Sequence, residues 1–122
     1  TWSNSNSAAM KAMANICKDP AKVAQLDAER AKYFKLIKER AAIFMEEASA
    51  CGLKYLPYLS GFFITIPMEG AQKVCDFMEK ENIFLVPLSN GIRLAVCSVS
   101  KSKITGLAAK IKAALDEVGA KQ

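Results

Sequence analysis

Apolar residues at three- and four-residue steps predict one long helix over residues 20–51. Asp19 is suited to cap its start, and Pro20 fits the first helical position, where a missing N–H costs nothing. The pattern runs to a stop at Gly52 through Val23, Leu26, Tyr33, Phe34, Ile37, Ala41, Phe44, Met45, Ala48 and Cys51.

The length of this helix has a consequence for packing. At about 1.5 Å per residue it would extend about 48 Å, whereas a compact domain of this size is roughly 35 Å across. We therefore expect part of its apolar stripe to pack on protein that this chain does not contain.

The patterns on either side of the long helix are shorter. Residues 8–17 predict a helix capped by Asn6 or Ser7. After Gly52 the patterns predict strands over 61–66, 83–88 and 92–96 and helices over 68–80 and 103–118, with Ser100 or Ser102 capping the last. Asn90-Gly91 between two apolar runs predicts a hairpin. The order β-α-β-β-α predicts an α+β fold with a small open sheet, equivalent to one lobe of an α/β enzyme.

Composition narrows the class of protein. The chain has 122 residues, 52% of them hydrophobic, and no apolar run approaches the roughly 18 residues of a membrane span. Its net charge of +5 comes from basic residues spread among 12 acidic ones, which favours a solvated surface over a nucleic-acid face. It begins at Thr1 with no signal-peptide pattern, so we expect a piece of a longer protein.

The four cysteines do not have the spacing of a metal site. Cys17, Cys51, Cys75 and Cys97 are far apart in sequence, and the chain has no histidine. Each lies in an apolar stretch. We expect reduced, buried thiols in a cytoplasmic protein, without disulfides or a metal.

Arg93 is the residue most suggestive of chemistry. Alternation along its strand places it on the face opposite Ile92, Leu94 and Val96. There the guanidinium is either solvated, paired with a structural carboxylate, or free to bind a ligand carboxylate in a bidentate manner. The neighbouring Gly91 would permit close approach of a ligand.

Two other features each have a chemical and a structural interpretation. Ser98 and Lys101 have the S-x-x-K spacing of a serine hydrolase, and Lys101 could form a Schiff base, but serines ahead of an apolar-periodic helix favour capping. Phe62 and Phe63 are adjacent in a predicted strand, so one should enter the core and the other line a cleft. By residue chemistry alone, the chain contains at most part of an active site.

The order of these segments resembles the C-terminal part of the aspartate and aromatic amino-acid aminotransferases, fold-type-I enzymes that use pyridoxal 5′-phosphate. The resemblance spans the chain and is most specific in three places. They are Trp2-Ser3-Asn4, the Gly61-Phe62-Phe63 of SGFFITI, and the Gly91-Ile92-Arg93 of NIFLVPLSNGIRLAV.

The resemblance implies roles for particular residues. Arg93 would bind the substrate α-carboxylate, Phe63 would pack beside it near the cofactor, and Gly61 would open the strand. Ser3 and Asn4 would belong to the segment that reaches the cofactor of the neighbouring subunit in a homodimer. The family usually continues that segment with prolines where this chain has serine and asparagine, and a helix-cap cluster is the alternative for Ser3 and Asn4.

The resemblance also implies what the chain lacks. The Schiff-base lysine, the aspartate that pairs with the pyridinium nitrogen and the phosphate-binding residues would all precede Thr1, and Lys101 comes too late in the chain to replace that lysine. No catalytic residue is therefore expected here, and the chain should be inactive alone.

The implied organisation has three parts: residues 1–18 on the dimer and large-domain side, an interdomain helix over 19–52, and a small-domain lobe over 53–122. The implied partners are the large domain, an amino acid and a 2-oxo acid, with no nucleic acid or membrane. Which amino donor is preferred stays open. A stand-alone amino-acid-binding regulatory module and a basic nucleic-acid binder are the alternatives.

Overall fold

A computed structural model describes residues 6–122, so the predictions for Trp2, Ser3 and Asn4 lie outside the described residues. The strands form one antiparallel sheet in the order β1-β3-β2, which confirms the predicted α+β fold with a small open sheet. The elements are α1 (Ser7–Cys17), α2 (Pro20–Cys51), β1 (Phe63–Pro67), α3 (Ala71–Glu79), β2 (Val86–Leu88), β3 (Gly91–Ala95), α4 (Lys101–Ile104) and α5 (Leu107–Glu117).

The first two helices begin at side-chain caps. Asn6 caps α1 by accepting a hydrogen bond of 3.1 Å from the Ala9 N–H. The Asp19 carboxylate accepts from the Ala21 and Lys22 N–H groups at 3.0 and 3.3 Å. These bonds satisfy donors that the first helical turn leaves unpaired, and α2 has the predicted bounds.

Strand β1 begins two residues later than predicted, at Phe63, and α3 is shorter than predicted. Two other elements differ more from the predictions. The helix predicted over 103–118 is divided into α4 and α5 because Gly106, at φ +79°, turns the chain between them. The strand predicted over 83–88 is shortened to β2. The Ile83 N–H bonds to the Met78 carbonyl at the end of α3 instead of to the sheet.

One face of the sheet forms the core. Ile64 and Ile66 of β1 lie opposite Leu94 and Ile92 of β3, and all four are buried. They belong to one hydrophobic cluster with buried residues of α3, α5 and the second half of α2. The other face of the sheet is the one that carries Arg93.

The chain divides into two compact units, one ending at Lys35 and one spanning Leu36–Gln122. None of the described residues of the first unit is buried, and Met10, Met13, Tyr33 and Phe34 are at least half exposed. Along α2 only Ala41, Phe44 and Ala48 are buried. The described chain therefore leaves the apolar stripe of the first half of α2 largely uncovered.

The cysteines depart from the expectation that all four are buried. All are free, but only Cys75 is buried, Cys51 is half-buried, and Cys17 and Cys97 are exposed. Cys17 ends α1 in the unit without buried residues, and Cys97 lies in the turn after β3. Both cysteines have apolar neighbours in sequence, yet neither side chain faces the core. Among residues 6–122, no helix combines the length and apolar character needed to cross a membrane.

Candidate carboxylate-binding site

Arg93 lies at the centre of the sheet face that does not form the core. It is on the middle strand, with Thr65 of β1 opposite it on one side and Val86 of β2 on the other. Its chain neighbours Ile92 and Leu94 are buried on the opposite face, while Arg93 itself is exposed. The predicted alternation along this strand is confirmed.

Phe63 orients the Arg93 guanidinium. The Cζ atom of Arg93 lies 4.7 Å from the centroid of the Phe63 ring. Phe63 pairs with Ala95, so it is the diagonal cross-strand neighbour of Arg93, a separation that long side chains span. A cation over an aromatic face gains about 0.5–1 kcal/mol at an exposed site and about 2 kcal/mol when water is excluded. The ring therefore holds the guanidinium on this face.

The guanidinium has no carboxylate partner within the described part of the chain. The ion pairs found there belong to Arg30 and to the lysines at positions 22, 101, 110 and 112. Of the alternatives left open by the sequence, a structural ion pair between Arg93 and a carboxylate is thus absent from residues 6–122. A guanidinium carries five N–H donors in a planar fork, and the stacking on Phe63 leaves them available to an incoming carboxylate.

The surroundings of Arg93 are apolar and open. Phe63, Val86 and Leu88 share its sheet face and are 45%, 44% and 37% exposed. A groove of about 370 Å³ borders this face, lined by residues 56–60 together with Phe63, Ile64 and Thr65. An apolar rim lowers the local dielectric when a ligand or another part of the protein covers it, which strengthens an ion pair made there.

The chain enters β1 through a bend at Gly61. Its φ of +109° is rare for residues with a side chain, and its carbonyl accepts a hydrogen bond of 2.6 Å from the Tyr58 hydroxyl. Burial, with a smaller contribution from Cys97, raises the pKa of Tyr58 and so favours the neutral phenol that donates this bond. Gly61 thus lies in the bend two residues before β1, and the hydrogen bond from Tyr58 holds its carbonyl in place.

Two expectations about the neighbouring residues were wrong. Phe62 and Phe63 were expected to divide between core and cleft, yet both are exposed, because Phe62 lies in the bend before regular pairing begins. Gly91 was expected to admit a ligand. Its Cα instead faces β1, where an added Cβ would lie 2.5 Å from the Ile66 carbonyl oxygen.

Ser98 and Lys101 each interact with another group. The Ser98 hydroxyl donates to the Ala95 carbonyl at 3.0 Å, and Lys101 pairs with the Glu39 carboxylate. Ser100 occupies the N-cap position of α4 without making a capping hydrogen bond through its side chain. Ser100 therefore has the predicted N-cap position, but its side chain does not cap the helix.

The strand positions around Arg93 offer no amine for covalent attachment of pyridoxal 5′-phosphate. The other strand positions on this face are Phe63, Thr65, Pro67, Val86, Leu88, Gly91 and Ala95, and none is a lysine. Within residues 6–122 no group of three or more His, Cys, Asp or Glu side chains could hold a metal ion. The polar side chains at the strand positions of this face are the Arg93 guanidinium and the Thr65 hydroxyl.

Two solved structures resemble this chain. An aminotransferase from Anaerococcus prevotii DSM 20548 is 32% identical to it, with a TM-score of 0.84 over 92% of this chain and 27% of that protein. An aromatic aminotransferase from Pyrococcus horikoshii OT3 is 17% identical, with a TM-score of 0.62 over 87% of this chain and 30% of that one.

No protein-family model and no curated protein matches the chain. The chain therefore shares the fold of one part of these aminotransferases and spans under a third of the length of either.

Proposed function

Given an aminotransferase fold with an exposed arginine on its open sheet face, we propose that this chain is the C-terminal, small-domain part of a fold-type-I aminotransferase of the aspartate and aromatic family. Such an enzyme transfers an amino group between an amino acid and a 2-oxo acid. The observation that carries the proposal is Arg93, which is exposed, stacked on Phe63 and without a described carboxylate partner. In this proposal Arg93 binds the substrate α-carboxylate.

The contribution of Arg93 is positioning. Two parallel N–H···O bonds from one guanidinium fix both the place and the rotation of a carboxylate. Because the α-carbon is bonded directly to that carboxylate, its remaining bonds are oriented as well. Orientation of this kind removes rotational and translational freedom before the reaction begins. Phe63 supports this role by stacking on the same guanidinium.

The proposed enzyme requires parts beyond the described residues. Pyridoxal 5′-phosphate, which supplies an electron sink when bound, would be held by the large domain and, in a homodimer, by Ser3 and Asn4 of the neighbouring subunit. Residues 1–18 would face the dimer and the large domain, the helix over 19–52 would connect the domains, and residues 53–122 would form the small-domain lobe. The chain alone would not transaminate.

The test is substitution of Arg93 in the full-length protein that contains this chain. Each charge-assisted hydrogen bond contributes about 1.5–3 kcal/mol, and 1.4 kcal/mol corresponds to tenfold in affinity. We expect Arg93→Ala to raise KM for aspartate and phenylalanine by at least about tenfold, and Arg93→Lys to recover only part of the loss because an ammonium lacks the planar fork.

The matched control is Arg30→Ala, which removes a guanidinium that forms a surface pair with Asp27 at 3.5 Å. Its KM should stay within about twofold of the wild-type value, since exposed pairs contribute little. An unchanged KM in Arg93→Ala would remove the assignment of this residue.

A further inference from the structure

The chain has three arginines, at positions 30, 40 and 93, and Arg40 differs from the others in bonding to the main chain. It lies on α2 and is half-buried. Its Nη1 atom donates to the Cys97 carbonyl at 2.9 Å and approaches the Val96 carbonyl at 3.5 Å. Arg40 thereby attaches the long helix to the residues that directly follow β3.

The same residues are bonded to the entrance of β1. The Val96 N–H donates to the Phe62 carbonyl at 2.9 Å. Val96 is therefore held on one side by Arg40 and on the other by the residue next to Phe63. Arg93 lies on β3, three residues before Val96. The hydrogen bonds from Arg40 therefore fix the end of the paired strands β1 and β3, which carry Phe63 and Arg93.

A second contact from α2 holds the segment after Val96. Glu39, the chain neighbour of Arg40, pairs with Lys101 at the start of α4. Two consecutive residues of α2 thus secure residues 96–101 at both ends. This segment connects the strand of Arg93 to the helices that follow it.

The burial of Arg40 is not explained by stability alone. Its Nε atom is buried and has no hydrogen-bond partner within the described residues. A buried donor without an acceptor is unfavourable, and an unbranched apolar side chain would occupy similar space without that penalty. Unlike such an apolar side chain, the guanidinium holds the Val96 and Cys97 carbonyls in a fixed position.

We propose that Arg40 is a positioning residue for Arg93: through Val96 and Phe62 it sets the geometry in which Arg93 and Phe63 receive the substrate carboxylate. This inference rests on the proposed function, because it takes Arg93 to be the carboxylate-binding residue. The hydrogen bonds of Arg40 go to the Val96 and Cys97 carbonyls and not to Arg93, so its substitution should weaken carboxylate binding without removing it.

The experiment compares Arg40→Met, Arg40→Lys and the control Arg30→Met in the full-length protein. Methionine keeps the unbranched stem and removes the donors, and lysine keeps a charge that can reach one carbonyl. We measure KM and kcat for aspartate and phenylalanine. We also measure calorimetric Kd values for succinate and 3-phenylpropionate, which are those amino acids without the amino group.

In Arg40→Met we expect KM and Kd to rise about three- to tenfold, which lies within the range of effects transmitted through intervening residues, and kcat to stay within about twofold. Arg40→Lys should fall between Arg40→Met and wild type, and Arg30→Met should match wild type. If Arg40→Met does not fold, Arg40→Lys decides. Unchanged KM and Kd in the folded Arg40 variants overturn the proposal.

Combination with Arg93→Ala separates positioning from a general structural defect. If Arg40 acts through Arg93, Arg40→Met adds little to KM once Arg93 is alanine. An equal rise in both backgrounds overturns the positioning role and leaves the function of Arg93 intact. If Arg93→Ala alone leaves KM unchanged, the proposed function fails, and the Arg40 proposal fails with it.

Discussion

Glu47 of α2 connects the long helix to the start of α5, and its substitution tests whether this contact stabilises the fold. Both carboxylate oxygens accept from the Gly106 N–H, at 2.8 and 2.9 Å. Gly106 occupies the N-cap position of α5 at φ +79° and has no side chain with which to cap the helix. The cap is therefore supplied by a residue 59 positions away in sequence.

The expected loss of stability in Glu47 variants follows from the hydrogen bond and the charge that the carboxylate supplies to Gly106. A hydrogen bond to a charged group contributes about 1.5–3 kcal/mol, and a negative charge at a helix N-terminus contributes about 0.3–1 kcal/mol. The bond is part-buried, so solvent screens it less than a surface pair. We expect Glu47→Ala to lower the free energy of unfolding by about 1.5–3 kcal/mol. Glu47→Gln, which keeps an acceptor and loses only the charge, should lower it by about 0.3–1 kcal/mol.

Urea unfolding of the 122-residue chain, followed by circular dichroism, measures both values. The matched control is Glu46→Ala, because Glu46 is the exposed neighbour on the same helix and has no hydrogen bond or ion pair with another described residue. Its effect should stay within about 0.5 kcal/mol of wild type. The reasoning is refuted if Glu46→Ala destabilises the chain as much as Glu47→Ala, or if Glu47→Ala has no measurable effect.

Two further predictions concern packing and pH. Gly91→Ala should lower the free energy of unfolding by about 1–3 kcal/mol in urea titrations, because the added methyl meets the Ile66 carbonyl oxygen; a neutral outcome would contradict the close approach of β1. Burial, with smaller contributions from Asp76 and Glu79, raises the pKa of the Cys75 thiol above 9.0, so the folded chain favours its neutral form. The contribution of Cys75 to the free energy of unfolding is therefore present below pH 9.0 and is lost as the pH rises through the folded-state pKa of the thiol. Urea unfolding at a series of pH values should show this decline in the wild-type chain and a weaker decline in Cys75→Ala.

The elements that the sequence predicts correctly are those with local signals. The long helix begins at Asp19-Pro20 and ends before Gly52, and the structure places its bounds at those residues. The turn at Ser89-Asn90 joins β2 to β3, with Leu88 opposite Gly91. In each case a few adjacent residues determine the backbone conformation.

The misjudged elements depend on contacts between distant residues. The break between α4 and α5 is stabilised by Glu47, which periodicity around Gly106 cannot reveal. The early residues of the strand predicted over 83–88 bond to the end of α3 through Met78. Apolar content predicts burial there, and the tertiary partner decides whether the segment joins the sheet.

The candidate site shows the same division between local and distant determinants. Alternation around Arg93 predicts its face, because strand side chains alternate with a period of two. Its stacking on Phe63 depends on the register that pairs Phe63 with Ala95, which the sequence does not specify. Arg40 gives no sequence signal at all, since its acceptors are main-chain carbonyls 56 and 57 residues away.

The three arginines show why residue type alone does not identify a site. Each carries the same guanidinium, yet Arg30 pairs with Asp27 on an exposed helix face, Arg40 donates to main-chain carbonyls, and Arg93 stacks on Phe63. Only Arg93 combines exposure with the lack of any described acceptor, so only there does binding a carboxylate require no existing hydrogen bond to break. Among residues 6–122 an incoming anion displaces no acceptor at Arg93, whereas at Arg30 it would displace Asp27 and at Arg40 the Cys97 carbonyl. This difference in what must be displaced makes Arg93 the arginine best suited to ligand binding.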